Sequence, residues 1–284
     1  MEIFNPSEWE RLKNIDGDKA KSEIDRIRER GSVKNYLKVN QIPNKSYNEP
    51  ITLLSKKFNS IIGGGFNPGT LYLVYGAYAT GKTQIGFHTC VSLYNLYKNL
   101  KPHISTLFID TEDTFRPERI QEIASQGYNL GDTTVFSRIR VLKATSTDMI
   151  FTLLKKIDAQ GLDKEIKLII IDSLTKHIRL DLGNEEISNT QVRDKLKRIL
   201  GYLREITKQN NIVTILISQV TGFTAENSIF AARPIMEYVL NHYVDEIIYL
   251  NRTDEQRWAN LVNSKADRNQ KVPFSISTSG ITDQ

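Results

Sequence analysis

The sequence predicts an α/β fold in which helices cover both faces of a mostly parallel, twisted sheet. Three observations predict it. Short runs rich in Ile, Leu and Val recur from residue 51 onwards. Most runs are continuously apolar, which is typical of strands covered on both faces. The segments between them are long enough for crossover helices. The predicted strands are residues 72–75, 106–110, 138–142, 167–172, 212–218 and 246–250.

The first 49 residues differ in composition from the remainder of the chain. They are dense in charge of both signs, which leaves little apolar material for a core. Ala20, Ile24 and Ile27 are spaced as on one face of a helix. We therefore expect a charged, partly helical arm and linker over residues 1–49 and one core over residues 50–284. A helix docked on the core and an arm that binds a partner are both compatible with this pattern.

Composition and charge narrow the class of protein. The chain has 284 residues, 39% hydrophobic and 25% charged, as in a globular protein rather than a disordered or fibrous one. A net charge of +5 permits a local basic stripe without requiring a nucleic-acid partner. The lone Cys90 favours a reducing compartment, and no apolar run approaches the ~20 residues that cross a bilayer. We expect an intracellular, cytoplasmic chain with no membrane partner.

A glycine-rich segment follows the first strand of the core and opens a helix. It reads Gly76-Ala77-Tyr78-Ala79-Thr80-Gly81-Lys82-Thr83-Gln84, a P-loop in the context that the motif requires. The backbone amides of such a loop converge on phosphate oxygens. We expect Lys82 to reach the β- and γ-phosphates and Thr83 to ligate Mg²⁺. The segment therefore predicts a site for ATP with Mg²⁺; nucleotide binding without hydrolysis is an alternative.

Two acidic residues at the ends of other predicted strands complete this site. A P-loop needs a second carboxylate to orient the metal. Asp172 follows four apolar residues at the end of the strand at 167–172, where ligands bind in parallel sheets. Glu112 follows the strand at 106–110 and is the candidate for activating water. A role in capping a helix is the alternative for each carboxylate.

Further motifs resemble the RecA superfamily, closest to the archaeal and eukaryotic recombinases of the RadA type. The resemblance covers residues 51–284. Its motifs are a glycine run at residues 58–69, the segment Asp110-Thr-Glu112-Asp-Thr-Phe-Arg116-Pro117-Glu118-Arg119, the strand end Ser218-Gln219-Val220, and residues 274–283. The resemblance implies a RecA-like P-loop ATPase core. It also implies that Glu112 and Lys82 are catalytic, that Arg119 stacks on adenine and that Gln219 senses the γ-phosphate.

Three parts of the pattern are altered. The Phe-x-x-Ala segment with which RadA-type recombinases polymerise does not occur in the chain. The first 49 residues are too few for the family's helix-hairpin-helix domain. Residues 233–237, which match the nucleotide cap of a neighbouring subunit, keep the proline and lose both glycines. The resemblance therefore favours a RadA paralogue from an archaeal source. Its expected partners are the main RadA-type recombinase and, as an option, further copies of itself.

Two segments match the DNA-binding loops of the family, residues 179–191 and residues 221–234, and neither is net basic. The residues expected to contact single-stranded DNA are Arg179, Phe223, Phe230 and Arg233. The basic excess lies instead on residues 193–208, a predicted amphipathic helix. Its charges could hold phosphates in a salt-sensitive, largely sequence-independent manner.

These inferences favour a slow, DNA-dependent or DNA-stimulated ATPase that is associated with the nucleoid. We expect it to bind single-stranded DNA and to modulate homologous recombination and DNA repair. The main alternative is a nucleotide-gated scaffold that binds the main recombinase with little DNA binding or turnover. A circadian-type or other ATPase of this fold, unrelated to DNA, is a weaker alternative because the match at residues 110–119 argues against it.

Overall fold

The computed structural model describes residues 49–131, 133–223, 232–253, 256–262 and 270–284. All of them belong to one compact unit. Residues 1–48, which make up nearly all of the predicted arm, lie outside the described residues, so the division at residue 49 stays a prediction.

The described residues alternate between α-helices and β-strands up to β4, and two helices, α5 and α6, connect β4 to β5. The helices are α1 (Lys56–Ile61), α2 (Lys82–Tyr97), α3 (Pro117–Tyr128), α4 (Thr147–Gln160), α5 (Leu174–Leu182), α6 (Asn189–Asn210) and α7 (Glu237–Tyr243). The strands are β1 (Thr70–Gly76), β2 (Ser105–Asp110), β3 (Ile139–Lys143), β4 (Ile166–Asp172), β5 (Val213–Phe223), β6 (Ala232–Pro234), β7 (Glu246–Arg252), β8 (Arg257–Leu261), β9 (Lys271–Ser277) and β10 (Gly280–Thr282). A 3₁₀ turn, Thr134–Arg138, precedes β3.

One sheet connects these strands in the order β10-β9-β8-β7-β1-β5-β4-β2-β3, and β6 pairs with β5. The six strands from β7 to β3 run parallel to their neighbours. The pairs β7–β8, β8–β9, β9–β10 and β5–β6 are antiparallel. The predicted fold class is therefore confirmed. Each predicted strand is present with shifts of at most two residues at its ends, except that β5 extends five residues beyond its predicted end at residue 218. The prediction missed the antiparallel strands β6, β8, β9 and β10.

The apolar runs are continuous because the two faces of the sheet belong to two different cores. In β4, Leu168 and Ile170 join one buried cluster, and Ile169 and Ile171 join the other. The first cluster includes the buried faces of α1, α2 and α3. The second includes those of α4, α6 and α7. Each fully buried Ile or Leu contributes about 1.5–3 kcal/mol relative to an exposed one.

Strand order and register bring four sequence-distant residues to one edge of the sheet. Gly76, at the end of β1, is opposite Gln219 in β5. Asp110, at the end of β2, is opposite Asp172 in β4. In parallel sheets the carboxyl ends of the strands form this edge, and ligands bind there.

None of the helices in the described residues combines the length and apolar character that a bilayer-spanning segment needs.

Candidate nucleotide-binding site

The P-loop joins β1 to α2 through a tight turn that two glycines make possible. A Cβ on Gly76 would lie 2.4 Å from the carbonyl oxygen of Leu250, so no larger residue fits without displacing backbone. Gly81 has φ +107, and its Cβ would lie 2.7 Å from Ile276 Cδ1. Gly81 is also the N-cap of α2 and offers no side-chain cap. The first amides of this 16-residue helix therefore remain available to an anion.

Lys82 lies inside the loop that precedes it. Its Nζ donates to the carbonyl oxygens of Gly76 at 2.9 Å and Ala77 at 2.7 Å. The residue is only 9% exposed. Burial lowers the pKa of the ammonium group, and the nearby carboxylates of Asp172 and Glu112 act in the opposite direction. Thr80 Oγ1 also donates to the Ala77 carbonyl, at 2.9 Å, which fixes the curve of the loop.

Thr83 and Asp172 are in direct contact. Thr83 Oγ1 donates to Asp172 Oδ2 at 2.6 Å. Burial raises the pKa of Asp172 to about 7; the hydrogen bond from Thr83 lowers it, and the negative charges of Glu112 and Asp110 raise it further. Ser173, not Asp172, is the N-cap of α5, and no side chain caps that helix. The capping role that the sequence left open for Asp172 is therefore absent, and hydroxyl and carboxylate oxygens are ligands that Mg²⁺ accepts.

The Glu112 carboxylate is fixed by two donors. Its Oε1 accepts from Ser173 Oγ at 2.5 Å and from Gln219 Nε2 at 2.9 Å. Glu112 does not cap α3, because the N-cap of that helix is Arg116 and no side chain bonds to its first turn. The carboxylate is therefore a positioned hydrogen-bond acceptor at the edge of the sheet.

The turn that carries Glu112 is built by the buried Asp110. One oxygen of Asp110 accepts from the amides of Glu112 at 3.0 Å and Thr114 at 3.2 Å, and the other accepts from the amide of Phe115 at 3.0 Å. Asp110 therefore folds the chain back after β2, and this turn places the side chain of Glu112 towards β4 and β5.

Gln219 connects this cluster to the longest strand of the sheet. Its backbone amide donates to Thr175 Oγ1 at 3.2 Å, and its side chain reaches Glu112. After Gln219, β5 continues to Phe223 and pairs there with β6. β5 therefore joins the hydrogen-bond partner of Glu112 to residue 221, where the segment that resembles a DNA-binding loop begins.

Arg119 is held at the other end of the site. Its Nε donates to Gln84 Oε1 at 2.7 Å, and its terminal nitrogens donate to the carbonyl oxygens of Ser277 at 2.6 Å and Thr278 at 3.2 Å. It also forms an ion pair with Glu122. These contacts involve the edges of the guanidinium and fix its plane, so that a face remains for stacking against a planar ring.

These groups surround one open cavity of about 640 Å³. This volume is within the range of about 300–1,000 Å³ that small-molecule and cofactor sites occupy. The lining residues come from the P-loop and the start of α2, the turn after β2, α3, the end of β4, β5, β8 and the end of β9. They are Tyr78, Ala79, Gly81, Lys82, Thr83, Gln84, Glu112, Thr114, Arg119, Glu122, Asp172, Ser173, Gln219, Arg257, Ile276, Ser277 and Thr278.

The residues present fit ATP with Mg²⁺. Gly76 and Gly81 allow the tight packing that gives the P-loop its shape, and the P-loop supplies amides and a lysine for phosphates. Two buried polar atoms in the cavity wall, Thr114 Oγ1 and Arg257 Nε, have no hydrogen-bond partner in the described part of the chain. Buried polar groups are normally satisfied, so a polar ligand in this cavity would supply the partners that these two atoms lack.

The two DNA candidates whose side chains are described lie outside this cavity. Arg179, near the end of α5, is exposed and donates to the carbonyl of Val220 at 3.3 Å. Arg233, in β6, is exposed and pairs with Glu237 at 3.1 Å.

The other two DNA candidates cannot be placed in the same way. Phe223 ends β5, and only its backbone is described. Phe230 lies outside the described residues.

The predicted basic helix is α6, and its apolar positions are buried as the amphipathic pattern predicts. Three of its lysines are held in salt bridges, which reduces the charge available to phosphates. These pairs are Lys195–Asp148 at 2.9 Å, Lys197–Asp194 at 3.4 Å and Lys208–Asp245 at 2.9 Å.

Sequence reasoning missed several residues of the cavity. Ser173 directly follows Asp172, and this adjacency was the one signal that could have placed it in the site. Thr114 lies within the motif at residues 110–119 but was given no role there, and Arg257 belongs to no motif; the fold brings both to the cavity wall.

The fold and the site together define a nucleotide-binding protein of the P-loop class with a RecA-like core. The family model for Rad51 matches residues 48–284. The chain therefore belongs to the Rad51 family, and the predicted kinship with RecA-superfamily recombinases is confirmed at this level. Members of this family are DNA-dependent ATPases that act in homologous recombination and DNA repair.

Named relatives agree with this assignment. The chain is 29% identical over 235 residues to the meiotic recombination protein DMC1 of Saccharomyces cerevisiae, covering 81% of this chain and 70% of the yeast protein. It is 29% identical over 240 residues to the human meiotic recombination protein DMC1/LIM15 homolog, covering 82% and 70%. It is 28% identical over 238 residues to the DNA repair protein RAD51 homolog of Solanum lycopersicum, covering 82% and 69%.

Proposed function

We propose that this chain binds and hydrolyses ATP, binds single-stranded DNA and modulates homologous recombination and repair as a paralogue of the main RadA-type recombinase. The observation that carries the proposal is the joint placement of Lys82, Thr83, Asp172, Glu112 and Gln219 around one cavity. Each of these residue types has a part in phosphoryl transfer from ATP.

The residues divide the chemistry between them. Lys82 and the amides of the P-loop would hold the phosphates, and Thr83 with Asp172 would hold Mg²⁺. Bound ATP with its metal ion supplies the γ-phosphate that water attacks. Glu112, an acceptor fixed by Ser173 and Gln219, orients the attacking water. The arrangement favours hydrolysis over simple binding because the acceptor is already positioned.

Gln219 supports coupling between the nucleotide and DNA. It contacts Glu112 and lies on the strand that continues towards residues 221–234. A Gln219 side chain that exchanges Glu112 for the γ-phosphate would move the end of β5. DNA bound at the following segment would in turn bias Gln219 and thereby change the rate of hydrolysis.

The role of a paralogue rests on what the sequence lacks and on what it alters. The Phe-x-x-Ala segment is absent from the chain, and residues 233–237 lack the two glycines of the family's nucleotide cap. Both features serve assembly of the recombinase filament. We therefore assign the chain a modulating function in the nucleoid, with the main RadA-type recombinase as its protein partner.

Steady-state hydrolysis of ATP with Mg²⁺, in the presence and absence of single-stranded DNA at low salt, tests the proposal. Lys82→Ala is the blank because it removes the buried ammonium group from the loop. We expect DNA to raise the turnover of the parent chain and the blank to be inactive. Turnover that Lys82→Ala retains would contradict the assignment of this cavity. Strand exchange by the chain alone, at the rate of a full recombinase, would contradict the modulating role.

A second function, a nucleotide-gated scaffold for the main recombinase, is favoured by the charges outside the cavity. Arg233 is paired with Glu237, and three lysines of α6 are paired with carboxylates. These pairs leave less positive charge for DNA. Capture of the recombinase by the Glu112→Gln variant, together with no retention of DNA, would support this function over the first.

A further inference from the structure

The nucleotide cavity contains a second arginine that the P-loop pattern does not explain. Arg257, the first residue of β8, lines the cavity together with Ala79. The fold brings it there because β8 pairs with β7, and β7 pairs with β1. The contact of Gly76 with Leu250 places the end of β7 directly against the P-loop.

The charge of Arg257 is poorly compensated by the residues that the structure describes. Its Nε is buried without a hydrogen-bond partner, and no ion pair joins it to a carboxylate in the residues that the structure describes. The strand register places another cation, Arg252, directly opposite. Like charges at such a position destabilise a strand pair. Burial and the charge of Arg252 both lower the pKa of Arg257.

Arg119, the other arginine of the cavity, differs from Arg257 in that every nitrogen of its guanidinium group is hydrogen-bonded. Its three guanidinium nitrogens are all engaged, by Gln84, Glu122 and the carbonyl of Ser277. Arg119 is therefore fixed by the protein before any ligand binds. Arg257 retains donors that face no acceptor of the described chain, and a guanidinium recognises phosphate oxygens with paired hydrogen bonds.

We propose that Arg257 is a nucleotide-binding residue that donates to phosphate oxygens of the nucleotide. This inference rests on the proposed function, because it requires ATP in the cavity. The phosphates gain a second cation beside Lys82 and also relieve the repulsion between Arg252 and Arg257. Bound nucleotide therefore stabilises the β7–β8 pair, which is less stable without an anion.

Binding of mant-ADP, a fluorescent nucleotide, tests the proposal on the full chain with Mg²⁺. The variants are Arg257→Gln and the matched control Arg252→Gln. The control removes the positive charge of the exposed residue that pairs with Arg257 across the two strands. At about 50 mM KCl, we expect Arg257→Gln to raise the Kd about tenfold to a hundredfold, the usual effect of losing a charge-assisted hydrogen bond. Arg252→Gln should change it by no more than about twofold.

Salt dependence and the charge-conserving variant Arg257→Lys show whether Arg257 contacts the nucleotide through its charge. At about 500 mM KCl the difference between the parent chain and Arg257→Gln should shrink, because Arg257 is only partly buried and the cavity is open, so that salt screens the contact. Arg257→Lys keeps the charge and should recover part of the affinity. A folded Arg257→Gln variant with the parent's Kd overturns the proposal. An equal loss at both salt concentrations also overturns it, since the contact would then not be ionic.

Lys82→Ala distinguishes failure of the proposed Arg257 contact from failure of the proposed ATP site. If Lys82→Ala abolishes nucleotide binding and Arg257→Gln does not weaken it, the phosphate contact of Arg257 is wrong and the ATP site stands. If Lys82→Ala binds mant-ADP as the parent does, the proposed function itself fails. Circular dichroism of each variant establishes that it is folded, and Arg257→Lys serves as the readout if Arg257→Gln does not fold.

Discussion

Gln219 donates a hydrogen bond from Nε2 to Oε1 of Glu112 over 2.9 Å. The two residues are 107 positions apart in sequence; Gln219 lies within β5, and Glu112 lies in the turn after β2. One carboxylate is thus held both by Gln219, in β5, and by Ser173, which directly follows Asp172. The geometry makes Gln219 a positioning residue for Glu112, which leads to the first prediction.

Replacing Gln219 by Ala should impair hydrolysis more than nucleotide binding. Without the amide, Glu112 loses one of its two donors, so the attacking water is less well oriented. We expect kcat to fall about tenfold to a hundredfold, while the Kd for mant-ADP changes little. The DNA dependence of turnover should also disappear. Gln209→Ala, on the exposed face of α6, is the matched control and should leave all three measurements unchanged. If Gln219→Ala weakens nucleotide binding as much as it lowers kcat, Gln219 does not act by positioning Glu112.

Replacing Ser173 by Ala should reduce turnover without destabilising the fold. Ser173 Oγ bonds to Glu112 and makes no cap bond in α5. We therefore expect kcat to fall about tenfold and the free energy of unfolding to change by less than about 1 kcal/mol.

Ser188→Ala is the converse control for this variant. Ser188 caps α6 through a capping box with Gln191. Its loss should reduce the free energy of unfolding by about 1 kcal/mol and leave kcat unaltered. Urea titration and steady-state ATP hydrolysis distinguish the two patterns. If both serine variants behave alike, the assigned role of Ser173 is wrong.

Replacing Gly76 by Ala should destabilise the P-loop. The new Cβ would lie 2.4 Å from the Leu250 carbonyl oxygen, which belongs to backbone and cannot rotate away. We expect a loss of about 1–3 kcal/mol in the free energy of unfolding and weaker binding of mant-ADP. Gly131→Ala is the matched control because nothing lies within 4 Å of its Cβ position. Equal stability of the two variants, measured by urea unfolding, would contradict the prediction.

Stability should fall in mild acid because of His88. Its Nδ1 accepts from the amide of Ile281 at 2.8 Å, and its Nε2 contacts the Tyr128 hydroxyl at 2.8 Å. Burial, with a smaller effect from the charge of Arg119, lowers the pKa of His88 to about 3. The unfolded chain, with a histidine pKa of about 6.5, therefore binds the proton first. This contribution to stability is complete above about pH 6.5 and is lost as the pH falls towards 3.

The difference in urea unfolding free energy between about pH 7.5 and about pH 5 measures this effect. Linkage predicts that His88 alone accounts for a loss of about 2 kcal/mol over this interval. His88→Asn keeps an acceptor near Nδ1 and cannot titrate, so its loss should be smaller by that amount. His103→Asn, at an exposed histidine, should retain the parent's pH dependence. Identical pH profiles for the parent and His88→Asn would refute the assignment.

The central strands of the parallel core were predictable because they are buried on both faces, whereas β3, at the edge of the sheet, is not buried. Alternate residues of β4, such as Ile169 and Ile170, enter different cores, so the run is apolar without interruption. β8 to β10 give no such signal. β8 reads Arg-Trp-Ala-Asn-Leu, β9 contains Pro273, and β10 has 3 residues. Their pairing depends on neighbours in the sheet rather than on their own composition.

The P-loop residues of the site were predictable because the chemistry is local in sequence. From the sequence, Asp172 and Glu112 could each have had a role in the site or a role as a helix cap. Only the distances in the structure distinguish these two roles. Thr83 lies 2.6 Å from Asp172, a contact across 89 positions of sequence that no local pattern records. Arg257 was unpredictable for the same reason, since it reaches the cavity through two strand pairings.

The position of β1 in the middle of the sheet has a consequence for synthesis of the chain. Its neighbours are β5 and β7, so Gly76 meets its partner Gln219 only after more than 140 further residues have been made. At about 5–20 residues per second, this takes roughly 7–30 s. During that interval β1, the apolar strand that precedes the P-loop, has no hydrogen-bonded neighbour on either edge. A nascent chain at this stage is a natural client for chaperones on the ribosome, and slow codons before β5 would prolong its exposure.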